Sequence, residues 1–263
     1  MVPNNTLKRR LIPASAALAV GLAGIMTAAV AHANVIGVNF GGGNGGPYDM
    51  TAGQTTGVVA QTNWNNLEGA TGSAATLNDS SGASTTATAT WSGQDVWATY
   101  GSSSPNPSNP DLVLLNGYLD NLQGGANAVV TVSSVPYATY DVVAYFEDNN
   151  DGDTGSISLS GATTGNNTFY YRVEGTTLPA TGNEFFQTTD TTDASNPPVS
   201  DYAIFTNVTG GSFTLTNAPG SYNTGLTGFQ IVSAVPEPTS LVITGAGLAG
   251  LLLIGTRRRR SRA

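Results

Sequence analysis

The chain has 263 residues, with 17 acidic and nine basic side chains and no cysteine. Eight of the nine basic residues lie near the two ends, so residues 34–235 carry 16 acids against Arg172 alone, a formal charge of −15. Such a body excludes nucleic acid as a partner, because phosphate binding needs clustered Lys and Arg. The missing cysteines exclude disulfide staples, thiolate nucleophiles and thiolate metal sites.

The first 33 residues read as a targeting segment. Lys8-Arg9-Arg10 precedes a run of small and apolar residues over 11–30, and Ala31-His32-Ala33 follows. A charged region, an apolar region and an A-x-A site in that order predict a signal peptide cleaved after Ala33. The single histidine, His32, leaves with it. The mature body then has no His, Cys or Lys, which removes Ser-His-Asp and Cys-His arrangements, Schiff-base lysines and imidazole zinc sites. The protein is therefore expected not to be an enzyme. Paired carboxylates are the chemistry left open, as in glycoside hydrolysis, but among 16 acids such a pair is a non-specific signal.

Gly, Thr, Ser, Asn and Ala dominate residues 34–234. No stretch repeats apolar residues at helical spacing. Short alternating segments recur instead between turn clusters. They fall at 35–40, 55–60, 85–91, 95–100, 128–132, 137–146, 155–159, 169–173, 203–208, 212–215 and 226–232. Residues 112–122 fit a short helix, or a strand followed by a loop. The expectation is one all-β domain over 34–234, a β-sandwich of jelly-roll type. In segment 137–146, Tyr140, Val142, Ala144 and Phe146 form one face, and Asp141, Val143 and Tyr145 form the other. Apolar groups on both faces mark a central strand. A tight acidic loop leads to 155–159, so the two segments are expected to pair as a hairpin. The first strand, ending Asn39-Phe40-Gly41, and the last, Gly228-Phe229-Gln230-Ile231-Val232, resemble the edges of carbohydrate-binding-module-like sandwiches. That resemblance implies a carbohydrate ligand.

The densest polar constellation is Glu147-Asp148-Asn149-Asn150-Asp151-Gly152-Asp153. So many oxygen ligands suit Ca²⁺, a hard cation. The loop is not an EF-hand, because Ser158 stands where a bidentate Glu is needed and no helices flank it. The expected ligands are Glu147, Asp148, Asn149, Asp151 and Asp153, against a plain solvated turn as the other reading. Trp64, Trp91 and Trp97 are the indoles available to stack on a sugar. Trp91 and Trp97 lie in strand-like segments and are expected in the core. Trp64, within Asn63-Trp64-Asn65-Asn66, has a loop-like setting and is the expected ligand-binding residue.

The C-terminal segment, residues 235–263, has three parts. Pro236-Glu237-Pro238 comes first, then an apolar stretch over 239–256, then Arg257–260 and Arg262. Eighteen apolar residues reach the lower limit for a transmembrane helix. The arginines hold the end in the cytoplasm and leave the body outside. Triplet, helix and basic tail together resemble the PEP-CTERM sorting signal of Gram-negative bacteria. The resemblance implies an exosortase-type processing enzyme as partner and sorting to the cell surface or an exopolysaccharide matrix. The sequence thus reads as an exported, initially membrane-anchored protein whose β-domain binds carbohydrate. The alternatives are a structural extracellular protein without a specific ligand, and a carboxylate-based glycoside-acting enzyme.

Overall fold

A computed structural model describes residues 34–41, 48–100, 109–122, 124–162, 165–175 and 185–234. The expected signal peptide, the Pro236-Glu237-Pro238 triplet, the apolar stretch and the arginine tail all lie outside these residues. Among the described residues, no helix is long and apolar enough to cross a membrane.

The fold is all-β. Its strands are β1 (Val35–Phe40), β2 (Asn65–Leu67), β3 (Thr71–Asn78), β4 (Ser84–Ser92), β5 (Asp95–Ala98), β6 (Gly117–Asn121), β7 (Ala128–Ser133), β8 (Thr139–Phe146), β9 (Thr154–Ala162), β10 (Thr168–Arg172), β11 (Tyr202–Pro219) and β12 (Thr224–Ser233). One short helix, α1 (Pro110–Leu114), interrupts them. The strands join in a single, nearly closed sheet with the order β2-β1-β12-β8-β11-β7-β4-β3. Strands β9 and β10 branch from β11, and β6 and β5 branch from β12.

Alternation explains the wall made by β4, β7 and the second half of β11. Ala87, Ala89 and Trp91 point inward from β4, while the threonines between them face outward. Thr131 and Thr214 hydrogen-bond side chain to side chain at 3.0 Å across that outer face. Strands β1, β8 and β12 differ, because nearly every residue in them is buried. Such strands need cover on both sides. One side faces the main core, with Phe40, Val142, Phe146, Phe205, Phe229 and Ile231. The other packs Val143 and Tyr145 under a second cluster of Met50, Trp64, Val113, Leu114 and Leu115. Thus α1 and the long segment between β1 and β2 form the lid over the central strands.

Several expectations change in detail. Segments 203–208 and 212–215 are one 18-residue strand, β11. An extended strand of that length spans roughly 60 Å at about 3.3 Å per residue, so it must bend. The register shifts between Phe205 and Val208, where Asn207 has a positive φ of 55°. Strand β11 pairs with β8 from Tyr202 to Thr209, across the bend, and beyond it with β7 from Ser212 and with β9 from Thr214. The expected hairpin between 137–146 and 155–159 does not form, because both edges of β8 are already taken by β11 and β12. Strand β9 pairs with β10 and the far half of β11 instead. Neither β1 nor β12 is an edge: β1 lies between β2 and β12, and β12 between β1 and β8. Residues 55–60 hold one isolated bridge, Thr56 to Gln61, and no strand. Segment 112–122 resolves into the end of α1 followed by β6. Strand β3 carries a weak apolar signal, with Leu77 its one buried side chain.

A buried polar knot ties the lid to the sheet. The Tyr145 hydroxyl donates to Gln230 Oε1 at 2.6 Å and accepts the Val58 N–H at 2.7 Å. Gln230 Nε2 donates in turn to Val59 O and Gln61 Oε1. Replacing Tyr145 by Phe keeps the ring and strands the Val58 N–H. The expected loss is about 1–3 kcal/mol in urea unfolding. An unchanged midpoint would mean that this knot contributes nothing to holding the lid.

Candidate functional site

Strand β5 builds the first wall of a surface hollow. Its alternation buries Val96 and Ala98 and leaves Asp95 and Trp97 on the outer face. Trp97 is 39% exposed, unlike Trp91 at 8%. Strand β6 pairs with β5 so that Asp95 stands opposite Asp120 and Trp97 opposite Tyr118. Two loops complete the hollow, one after β8 with Asn149 and Asn150, and one before β12 with Tyr222 and Asn223. Its volume is about 340 Å³. Tyr222 is the most exposed large apolar side chain among the described residues, at 64%, and Leu122 at the rim is 40% exposed.

The polar groups of the hollow are held in place by one another. Asn150 Nδ2 donates to Asn223 Oδ1 at 2.9 Å, joining the two loops. The buried Tyr118 hydroxyl donates to Asn149 Oδ1 at 3.0 Å and fixes the loop after β8 from below. Gly225 makes room for that ring, since a Cβ there would lie 2.2 Å from Tyr118. Asp120 is almost fully buried. Burial pushes its carboxyl up to about 6, against the pull of hydrogen bonds from the Asn223 side chain and the Asn121 N–H. Its Oδ1 has no hydrogen-bond partner.

Behind the hollow the acidic loop turns inward. Glu147 and Asp148 continue β8 into the interior and are fully buried. Glu147 Oε1 accepts the N–H groups of Asp148 at 3.1 Å and Gly175 at 2.9 Å. Asp148 Oδ1 accepts the Asn150 N–H at 2.6 Å. Asp201, at the start of β11, is also buried and accepts the Phe186 N–H at 2.9 Å. Burial raises Glu147 far above the carboxylate range, and the neighbouring Asp201 raises it further. Burial likewise pushes Asp201 up to about 7 and Asp148 up to about 8. These groups are neutral acids under mildly acidic conditions.

Of the five residues expected to bind Ca²⁺, Glu147 and Asp148 are buried, Asp151 is exposed at the loop tip, Asn149 Oδ1 accepts from the Tyr118 hydroxyl, and Asp153 Oδ1 accepts from the Ser221 hydroxyl at 3.3 Å. Among the described residues, no three His, Asp or Glu side chains are placed to hold a metal ion. The physical reason is the strand before the loop: β8 is buried to its last residue, and the chain carries its next two side chains inward with it. Trp64 is also not where its sequence setting put it. Its indole is buried in the lid and meets Tyr145 edge-on at 6.3 Å. The exposed indole is Trp97, which had been assigned to the core. The alternation of Asp95-Val96-Trp97-Ala98 contains the signal, because it places Trp97 on the same face as a charged residue. Tyr222 sits in a turn among polar residues and had no periodic signal.

No family model, curated protein or solved structure matches this chain.

The buried acids set the pH dependence of folding. Their folded pKa values lie above the unfolded ones, so their stabilising contribution is complete at low pH and is lost as pH rises through about 6 to 8. Asp79, Asp190 and Asp193 are held below the ordinary range by Ser81, by the Thr192 N–H and by Ser195 respectively, and their contribution is lost only in stronger acid. The full chain should therefore melt at a higher temperature near about pH 5 than near about pH 9. Asp148→Asn should flatten that slope and raise the alkaline melting temperature. A flat wild-type profile between those conditions would show that the buried acids stay charged.

Proposed function

We propose that this is an exported, non-enzymatic protein of the cell surface or exopolysaccharide matrix, whose β-domain binds glycan in the Trp97–Tyr222 hollow. The observation that carries the binding role is two exposed aromatic side chains beside a hollow lined by three asparagines and two aspartates. Sugar rings present C–H faces that stack on aromatic rings, and their hydroxyls pair with amides and carboxylates. Large exposed aromatic groups in a concave site otherwise carry a solvation cost with no return. The same reading takes the nearly closed sheet as a sandwich of jelly-roll type, with β11 serving two walls.

The sorting role rests on the termini. The basic-apolar-A-x-A start supports export. The Pro236-Glu237-Pro238 triplet, apolar stretch and arginine tail support membrane insertion and handling by an exosortase-type enzyme. Loss of residues 236–263 should release the protein into the medium, and Glu237→Ala should leave it in the membrane fraction unprocessed. Release of full-length protein irrespective of the tail would refute the sorting role.

For the hollow, glycan arrays followed by calorimetry on the full chain are the test. Trp97→Ala and Tyr222→Ala should each cost about 2 kcal/mol, the scale of a central aromatic contact, or roughly 30-fold in Kd. Trp64→Ala should instead lower the melting temperature. Wild-type affinity in both hollow variants would sink the assignment.

One observation favours a second reading. Asp95 and Asp120 face each other across two strands, and Asp120 titrates near 6, within the range of a general acid. Glycan cleavage abolished by Asp120→Asn would establish that reading.

A further inference from the structure

The glycan reading leaves open which sugars the hollow selects. We propose that it takes a glycan with free amino groups, whose ammonium sits between Asp95 and Asp120. The inference rests on the glycan reading and narrows it.

Both charged side chains in the hollow are carboxylates, and they face each other at one register position of β5 and β6. Like charges directly opposite in an antiparallel pair repel, so the arrangement needs a cation between them or a neutral partner. Among the described residues Arg172 is the one basic side chain, and it lies on β10, which pairs with β9 rather than with β5 or β6. Asp120 lines the hollow but is only 5% exposed, and its buried Oδ1 has no hydrogen-bond partner among the described residues. Asn223 and the Asn121 N–H already serve the rest of that carboxyl. A buried, half-served carboxyl is costly unless a ligand completes it.

A neutral sugar offers hydroxyls to this pair, whereas an ammonium offers three N–H donors and a charge of the right sign. The compact ammonium fits between two carboxylates facing each other. Trp97 beside it adds an aromatic face, which attracts a cation as well as a sugar ring. Uronate, sulfate and phosphate groups meet two carboxylates locally and a body of charge −15 at a distance. The hollow therefore discriminates by charge, favouring amines, accepting neutral sugars weakly and rejecting acidic ones.

The test is calorimetry on the full chain in detergent at near-neutral pH and low salt, where the Asp120 carboxyl is charged and the sugar amine still holds its proton in part. The ligands are a glucosamine oligomer, its fully N-acetylated counterpart and a uronic-acid oligomer of equal length. The free-amine oligomer should bind roughly tenfold or more tighter than the acetylated one, the worth of a charge-assisted hydrogen bond. The uronic-acid oligomer should not bind. Asp95→Asn and Asp120→Asn should each abolish the preference, so that on either variant the free-amine oligomer binds no tighter than its acetylated counterpart. Equal affinity for amine and acetylated oligomers overturns the inference and leaves the glycan reading standing. A preference that survives both substitutions does the same. Uronic-acid binding, with or without added Ca²⁺, also overturns it. Binding of none of the three overturns it, and a glycan array blank across all sugars would remove the glycan reading as well.

Discussion

Strand β8 is apolar on both faces and hydrogen-bonded on both edges, and much of the molecule follows from that. Two apolar faces need two covers, which is why there is a second cluster under α1 and the segment between β1 and β2. Two occupied edges send β9 elsewhere, to the outer half of β11. Strand β11 then serves both walls, and its bend near Asn207 is what allows one strand to do so.

The same strand sets the chemistry at its end. Because β8 stays buried through Phe146, the next two side chains, Glu147 and Asp148, enter the interior. They meet Asp201, carried there by the N–H of Phe146 bonding to the Asp201 carbonyl at 2.9 Å. With no cation near, proton retention is the way to keep these groups buried. The loop beyond them emerges at Asn149 and Asn150 and becomes a wall of the hollow. The buried acids therefore belong to the support of the hollow, whose lining groups include the asparagines, Trp97, Tyr222, Asp95 and Asp120.

Legibility differed by residue for identifiable reasons. The strand character of 35–40, 85–91, 137–146 and 226–232 was readable because each has strong alternation or continuous apolar content. Strand β3 was not, since it lies at one end of the sheet path with a single buried side chain. Trp64 and Trp97 exchanged roles. A loop setting suggested exposure for Trp64, but that loop is the lid of the second cluster. A strand setting suggested burial for Trp97, but its alternation phase points outward. The acidic loop reads as a cation site because composition reports oxygen count and not direction, and folding buries Glu147 and Asp148 while Asp151 stays exposed.

By itself the sequence determined the all-β character, the acidic stretch between basic ends and the absence of thiol chemistry, because these depend on composition and local period alone. The tertiary structure decided which strands pair, which aromatic groups face water and where the carboxylates point. Those outcomes depend on contacts between residues far apart in the chain, such as Asp95 with Asp120 and Asn150 with Asn223. Local pattern contains no record of them, since a strand's alternation fixes two faces and leaves to its neighbours which of the two meets the core.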